Sequence, residues 1–252
     1  MIDVKFIHGD CLEVMPTLPD KSIDIILCDL PYGTTACKWD TIIPFEPLWT
    51  QYKRLIKGNG AIVLTASQPF TSALVMSNPG WFKYELIWEK DKPSDFALAN
   101  IRPMKYHENI IVFAKNKTIY NKQLTRREGG GLERCKYKID QSNQKSDHVT
   151  LPQATKLYDA NFKNPKSIIK VSTGCRNNSI HPTQKPVALF EYLIRTYTNE
   201  GDTVLDNCSG SGTTGIAAFN TNRNAILIEK DETYFNAARE RFDRETRQVA
   251  MW

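Results

Sequence analysis

The feature that most constrains this chain is a short apolar strand near its C-terminal end that breaks into glycines. Thr203-Val204-Leu205-Asp206 reads as a buried strand, Asn207 to Gly212 as a turn, and Thr213 to Phe219 as the opening of a helix. Ala225 to Ile228 is a further strand ending at Glu229, and Thr233 to Arg247 is a charged amphipathic helix. A strand that enters a helix through glycines lets backbone pass close to a ligand, and the helix start offers free N–H groups and partial positive charge. Gly210, Gly212 and Gly215 satisfy G-x-G-x-x-G. On that basis alone, a nicotinamide-dependent oxidoreductase is one reading, and a tight turn without a ligand is another.

The rest of the chain repeats the alternation. Ile23 to Cys28, Ala61 to Thr65 (launched from Lys57-Gly58-Asn59-Gly60), Tyr84 to Trp88 and Asn109 to Phe113 read as strands. Phe45 to Ile56 has helical spacing, with Leu48, Trp49, Tyr52 and Leu55 on one side. Pro186 to Tyr197 is a helix with Val187, Phe190, Leu193 and Ile194 inward. The expected class is α/β, a mostly parallel sheet with helices on both faces. From Lys115 to about Ser179 the periodicity fades, and Gly129-Gly130-Gly131, Asn, Gln and scattered Lys replace it. Between Lys115 and Arg176 stand 14 Lys and Arg against 5 Asp and Glu, so one basic stretch interrupts a slightly acidic body. The 252 residues thus divide into 1–114, a basic insertion at 115–178, and 179–252.

Several classes drop out. With 41% hydrophobic and 24% charged residues, the chain is neither disordered nor fibrous. No apolar run approaches the ~20 residues that cross a bilayer, and no secretory signal is visible, so a cytoplasmic protein is expected. The six cysteines (11, 28, 37, 135, 175 and 208) form no C-x-x-C pair and read as reduced, small buried hydrophobes. His8, His107, His148 and His181 are scattered, so no metal site is expected. Ser209 has no evident His-Asp partner, which argues against a hydrolase triad. Trp81, Trp88, Tyr84 and Tyr106 read as core, whereas Trp39, in a polar loop, is a candidate to touch nucleic acid.

Asp206 argues against a dinucleotide, because a carboxylate so close to the turn repels a pyrophosphate. It suits a cationic ligand such as S-adenosylmethionine, which carries a sulfonium, an ammonium group and no phosphate. Glu229 can accept hydrogen bonds from ribose hydroxyls in either case. A second turn, Asp29-Leu30-Pro31-Tyr32, also follows a buried strand. It offers a carboxylate, an extended backbone before proline and an aromatic face, a combination that suits a planar amine. An exocyclic amine on a base is a poor nucleophile. The Asp29 side chain and the Leu30 carbonyl can grip its two hydrogens and favour the pyramidal nitrogen of the transition state. A surface turn with a packed tyrosine is the plainer alternative.

Asp29-Leu30-Pro31-Tyr32 resembles the Asp-Pro-Pro-Tyr signature of amino-methylating DNA methyltransferases. His181-Pro182-Thr183-Gln184-Lys185-Pro186 is similar to the segment before that family's cofactor strand, Asp206 to Thr214 to its methionine-binding loop, and His8-Gly9-Asp10-Cys11 to its adenine-contacting N-terminal element. The catalytic motif precedes the cofactor motif, the circularly permuted order of the β class. The resemblance covers nearly the whole chain outside about 115–178.

The resemblance implies a Rossmann-like fold, S-adenosylmethionine as cofactor and double-stranded DNA as substrate, with the target base flipped out of the stack. It implies that Asp206, Ser209, Gly210, Gly212 and Thr213 hold the methionine part and that Glu229 takes the ribose. Asp10 and Cys11 would meet the cofactor adenine. Thr183 and Lys185 would lie by the cofactor carboxylate. Asp29, Leu30, Pro31 and Tyr32 would hold the target amine, with Asp29 also bordering the cofactor. Leu30 departs from the usual proline, but the contact is a backbone carbonyl. Aspartate at position 29 leans towards N6-adenine, since serine is more typical of N4-cytosine enzymes. An N4-cytosine or RNA methyltransferase, a non-catalytic subunit of a heterodimer, and an oxidoreductase stay open. A homodimer and a separate restriction endonuclease are partners implied by the resemblance alone.

Overall fold

The computed structural model describes residues 2–35, 37, 40–127, 161–174 and 184–249. Strand β1 (Val4–His8) and the single turn α1 (Cys11–Val14) lead to β2 (Ile23–Asp29), α2 (Phe45–Leu55), β3 (Ile56–Ala66), α3 (Phe70–Ser77) and the hairpin of β4 (Phe82–Ser94) and β5 (Lys105–Phe113). Two short strands, β6 (Thr125–Arg126) and β7 (Phe162–Lys163), pair only with each other. The chain then adds β8 (Ile168–Lys170), α4 (Val187–Tyr197), β9 (Thr203–Asp206), α5 (Thr213–Asn220), β10 (Asn224–Glu229) and α6 (Glu232–Val249). The main unit takes residues 1–121 and 167–252, and a second unit spans Lys122–Lys166. Strand β8 belongs to the main sheet although the insertion was expected to run to 178. Its Ile169 is buried and pairs with Trp88 of β4.

Eight strands form one sheet in the order β1-β10-β9-β2-β3-β5-β4-β8. The five from β1 to β3 are mutually parallel, β5 runs antiparallel to β3 and β4, and β8 is parallel to β4. The strands are apolar on both faces because helices cover both. Ile23, Ile26 and Cys28 of β2 face one core with Trp49, Tyr52 and Leu55 of α2 and Phe70 and Leu74 of α3. Ile25 and Leu27 face the other, with Leu189, Phe190, Leu193 and Ile194 of α4 and Ala217 and Ala218 of α5. The same period-2 division runs through β3 and β5, as a two-sided sheet requires. On α4, Leu189 is buried and Val187 only partly so, a shift in the inward set expected from sequence.

Two expectations change. Trp88 is core at 2% exposure, but Tyr84 and Tyr106 are 38% and 43% exposed. They lie on the hairpin of β4 and β5 near one sheet edge, and Tyr84 reaches the Tyr197 hydroxyl with its own at 2.9 Å. The strand expected from Ala61 begins at Ile56, so the glycine pair falls inside it and the β2–β3 register shifts between Ile23 and Ile25. Asp24 ties this corner together: its carboxylate accepts from Lys57 Nζ at 2.8 Å and from the Thr203 N–H at 2.9 Å. Gly60 lies so close that an added Cβ would stand 2.6 Å from the Asp24 carbonyl oxygen and 2.8 Å from Ile56 Cδ1. Backbone cannot yield as a side-chain tip can. Gly60→Ala is therefore expected to destabilise the fold by about 1–3 kcal/mol, read as a lower urea midpoint at unchanged slope. An unchanged midpoint would show that the corner relaxes freely.

Candidate active site

Strands β2 and β9 are neighbours, paired at Ile25 with Val204 and Ile26 with Leu205. From β2 the chain crosses through α2 to β3 on one side, and from β9 through α5 to β10 on the other. The strand order reverses between them, and α/β sheets bind ligands outside the carboxyl ends at such a point. Asp29 ends β2 and Asp206 ends β9, so both turns singled out by sequence open on one cleft of about 1540 Å³.

The β9 turn is built around Asp206, whose carboxylate accepts from the Cys208 N–H at 3.1 Å and from the Thr214 hydroxyl. Burial pushes its pKa up to about 7, against those hydrogen bonds. Gly212 sits at φ +72°, where a side chain is strained, and an added Cβ would stand 3.0 Å from that of Ala238. The Gly210 N–H donates to Glu229 Oε2 at 2.7 Å, and Glu229 Oε1 takes the Asp231 N–H at 2.9 Å. Arg241 of α6 spans the back of the turn, donating to the Ser211 carbonyl and the Thr213 hydroxyl, each at 3.0 Å. Among the described residues, the Ser209 hydroxyl oxygen finds no hydrogen-bond partner, although it is buried. Alongside, Asp10 caps α1 through the Leu12 N–H and pairs with Lys230 Nζ at 2.9 Å, a bond that holds its pKa below the usual range. Cys11 is buried, and its thiol meets that of Cys208, which in turn meets Cys28. Burial pushes the Cys28 thiol up to about 12.

The β2 turn is more heavily charged. Asp29 Oδ1 accepts from the Tyr32 hydroxyl at 2.7 Å and from the Thr65 hydroxyl; Oδ2 accepts from Lys185 Nζ at 2.7 Å. Register explains Thr65, which stands opposite Asp29 one residue before the end of β3. Tyr32 stacks on Phe70, with ring centroids 5.2 Å apart, so one ring face is already covered. Beyond it, the Asp40 carboxylate accepts the N–H groups of Gly33, Thr34 and Thr35 at 2.7–2.9 Å and holds the loop in a turn. Leu30 is buried and Pro31 partly so. Lys185 is also within 3.3 Å of Glu108 Oε2, and Glu108 Oε1 is 3.0 Å from Lys90 Nζ.

The cleft is thus lined by Asp10, Cys11, Asp29, Leu30, Pro31, Tyr32, Lys185, Asp206, Ser209, Gly210, Thr213 and Glu229 from the expected set. Gly212 stands behind it as the N-cap of α5. Lys185 joins the two turns: its side chain holds Asp29, while its carbonyl accepts from the Thr213 hydroxyl at 3.1 Å. Thr183, His181 and Trp39 lie outside the described residues. Sequence reading missed Thr65, Lys90, Glu108 and Arg241. Thr65 was findable as the polar end of an apolar strand beside β2, and Glu108 as a lone acid just before the apolar run at Ile110.

The raised Asp206 pKa has a measurable consequence. The ligand-free protein holds a proton there below about pH 7, whereas the unfolded chain releases it near 3.8. Stability from this proton is present at acidic pH and is lost as pH rises between about 4 and 7, at up to roughly 1.4 kcal/mol per pH unit. Asp206→Asn removes the step, so its urea midpoint should gain on the wild type from pH 5 to pH 8. Parallel pH courses for the two proteins would locate the proton elsewhere.

A family model described as DNA methylase, of the N6/N4 methyltransferase kind, matches residues 23–240. The Type II methyltransferase M.HpaI of Haemophilus parainfluenzae is 26% identical over 258 residues, covering 97% of this chain and 76% of M.HpaI. The structure of the M1.HpyAVI–SAM complex is 27% identical with a TM-score of 0.62, covering 96% of this chain and all of that one. The cytosine-N4-specific PvuII DNA methyltransferase shares the fold at a TM-score of 0.67 and 17% identity, over 95% of this chain and 86% of its own. This chain belongs to the N6/N4 DNA methylase family.

Proposed function

We propose that this chain transfers the methyl group of S-adenosylmethionine to the exocyclic N6 of an adenine flipped out of duplex DNA. The observation that carries the reading is the pairing of β2 with β9, which opens Asp29 and Asp206 on a single cleft. The residues of the β9 turn fit the cofactor. Ser209 offers a buried hydroxyl with no partner, Asp206 a carboxylate for a cationic ligand, and Glu229 acceptor lone pairs beyond the two N–H groups it holds. Asp206, Ser209, Gly210, Gly212 and Thr213 would hold the methionine part, Glu229 the ribose, and Asp10 and Cys11 the adenine. When bound, the cofactor supplies an electrophilic methyl group on a sulfonium.

The chain's own work is positioning and acceptance of hydrogen bonds. Asp29 Oδ1 is filled by Tyr32 and Thr65, but among the described residues Oδ2 takes only Lys185 and keeps room for one more donor. That oxygen and the Leu30 carbonyl would accept the two amine hydrogens and draw the nitrogen lone pair out of the ring. Oδ2 would then take the proton that the methylated nitrogen must release. Tyr32 and Pro31 would flank the base. Flipping is required by the chemistry, because an amine engaged in a base pair is closed to in-line attack. Aspartate at position 29, rather than serine, supports adenine over cytosine.

The test uses labelled S-adenosylmethionine, unmethylated mixed-sequence duplex DNA and nucleoside mass spectrometry of the digest. N6-methyladenine is the expected product; N4-methylcytosine alone would overturn the choice of base, and label confined to RNA controls the choice of polymer. Asp29→Ala is expected to lower transfer at least a hundredfold while leaving cofactor affinity within about threefold. Asp206→Ala is expected to weaken cofactor binding by calorimetry. Equal loss of binding and transfer in Asp29→Ala would contradict this division of labour.

A further inference from the structure

Four buried or half-buried charges run in a line through the β2 side of the cleft: Lys90 on β4, Glu108 on β5, Lys185 before α4, and Asp29 at the end of β2. Lys90 and Lys185 are each only 7% exposed. Lys90 Nζ is 3.0 Å from Glu108 Oε1, Glu108 Oε2 is 3.3 Å from Lys185 Nζ, and Lys185 Nζ is 2.7 Å from Asp29 Oδ2. The signs alternate and sum to zero. Glu108 Oε2 is buried, and Lys185 Nζ at 3.3 Å is its charged partner. Burial works against the ionised Glu108, yet Lys185 and Lys90 hold its pKa below the usual range. A buried ion pair is a poor source of stability compared with apolar packing, so four such charges need another reason to be here.

The reason lies in what Lys185 would otherwise do. It keeps the Asp29 carboxylate aimed, but it also brings a positive charge to the edge of a cleft that must admit a sulfonium. We propose that Glu108 is a positioning residue for the transfer reaction, with Lys90 as its anchor. Glu108 offsets the Lys185 charge, so Asp29 is oriented without being wholly claimed and this line of four adds no net charge against a cationic methyl donor. This rests on the methyl-transfer reading above and adds residues that the motifs do not contain.

Charge, rather than shape, is what the test must isolate. S-adenosylmethionine carries the sulfonium, and S-adenosylhomocysteine is the same molecule with neutral sulfur. Calorimetry on the full chain measures the ratio of their dissociation constants. Glu108→Gln leaves one uncompensated positive charge. At the effective dielectric of a protein interior, a unit charge about 10 Å from another changes affinity by roughly tenfold. The variant should therefore bind S-adenosylmethionine roughly tenfold more weakly, while binding of S-adenosylhomocysteine changes less than threefold. Lys90→Met should shift the ratio the opposite way, and this holds even if Glu108→Gln does not fold. The double variant restores neutrality and should bring the ratio back towards wild type, an outcome that a structural role cannot give. Equal weakening of both ligands in the single variants, or a ratio in the double variant further from wild type than in either single one, overturns the proposal alone. Failure of the wild-type protein to bind either ligand overturns the methyl-transfer reading itself, and this inference with it.

Discussion

Everything in this molecule that bears on chemistry depends on the hydrogen-bonded pairing of β2 with β9. The two strands lie nearly 180 residues apart in the chain, yet Ile25 and Ile26 match Val204 and Leu205 in parallel register. Parallel pairing brings both carboxyl ends to the same edge. Because the chain leaves the two strands in opposite directions, no crossover covers the gap between them. A cleft follows from the topology, and its chemistry follows from what each strand carries at its end.

Each strand ends on a carboxylate, and the fold treats the two differently. Asp206 is surrounded by the thiol-lined side of the cleft and holds its proton to about pH 7. Asp29 is tied to an ammonium group, a phenol and a threonine hydroxyl. The two acids stand in unlike environments, and the methyl-transfer reading proposed above gives them different roles. The buried line from Lys90 to Asp29 crosses three strands and joins the hairpin of β4 and β5 to the β2 turn. The hairpin thus lines the cleft through Lys90 and Glu108.

The sheet was legible in the sequence where both faces of a strand are apolar. Ile23 to Cys28, Thr203 to Asp206 and Ala225 to Ile228 announce themselves, because burial on two sides demands an unbroken hydrophobic run. Strand β1 was hidden, since it lies at the sheet edge and mixes polar with apolar residues. Helix α3 was hidden because its sequence has little amphipathic contrast. The turns were legible because glycine, proline and strand-end acids carry their constraint locally. The pairings around Asp29 were not: Thr65 meets it through strand register, and Glu108 and Lys90 reach it only by way of Lys185, links that a local motif does not carry. Lys185 was singled out by its motif, but its side chain lies on Asp29, a contact that spans 156 positions of sequence.

The central claim is that the β9 turn and the β2 turn form one site that brings a sulfonium and an amine into line. The most direct measurement uses a bisubstrate compound in which the methyl group of S-adenosylmethionine is replaced by a two-carbon link to N6 of deoxyadenosine. Calorimetry should find it bound at least tenfold more tightly than S-adenosylhomocysteine, with the gain lost in Asp29→Ala and the binding of S-adenosylhomocysteine kept. Binding no tighter than S-adenosylhomocysteine, or a gain indifferent to Asp29, would contradict the account.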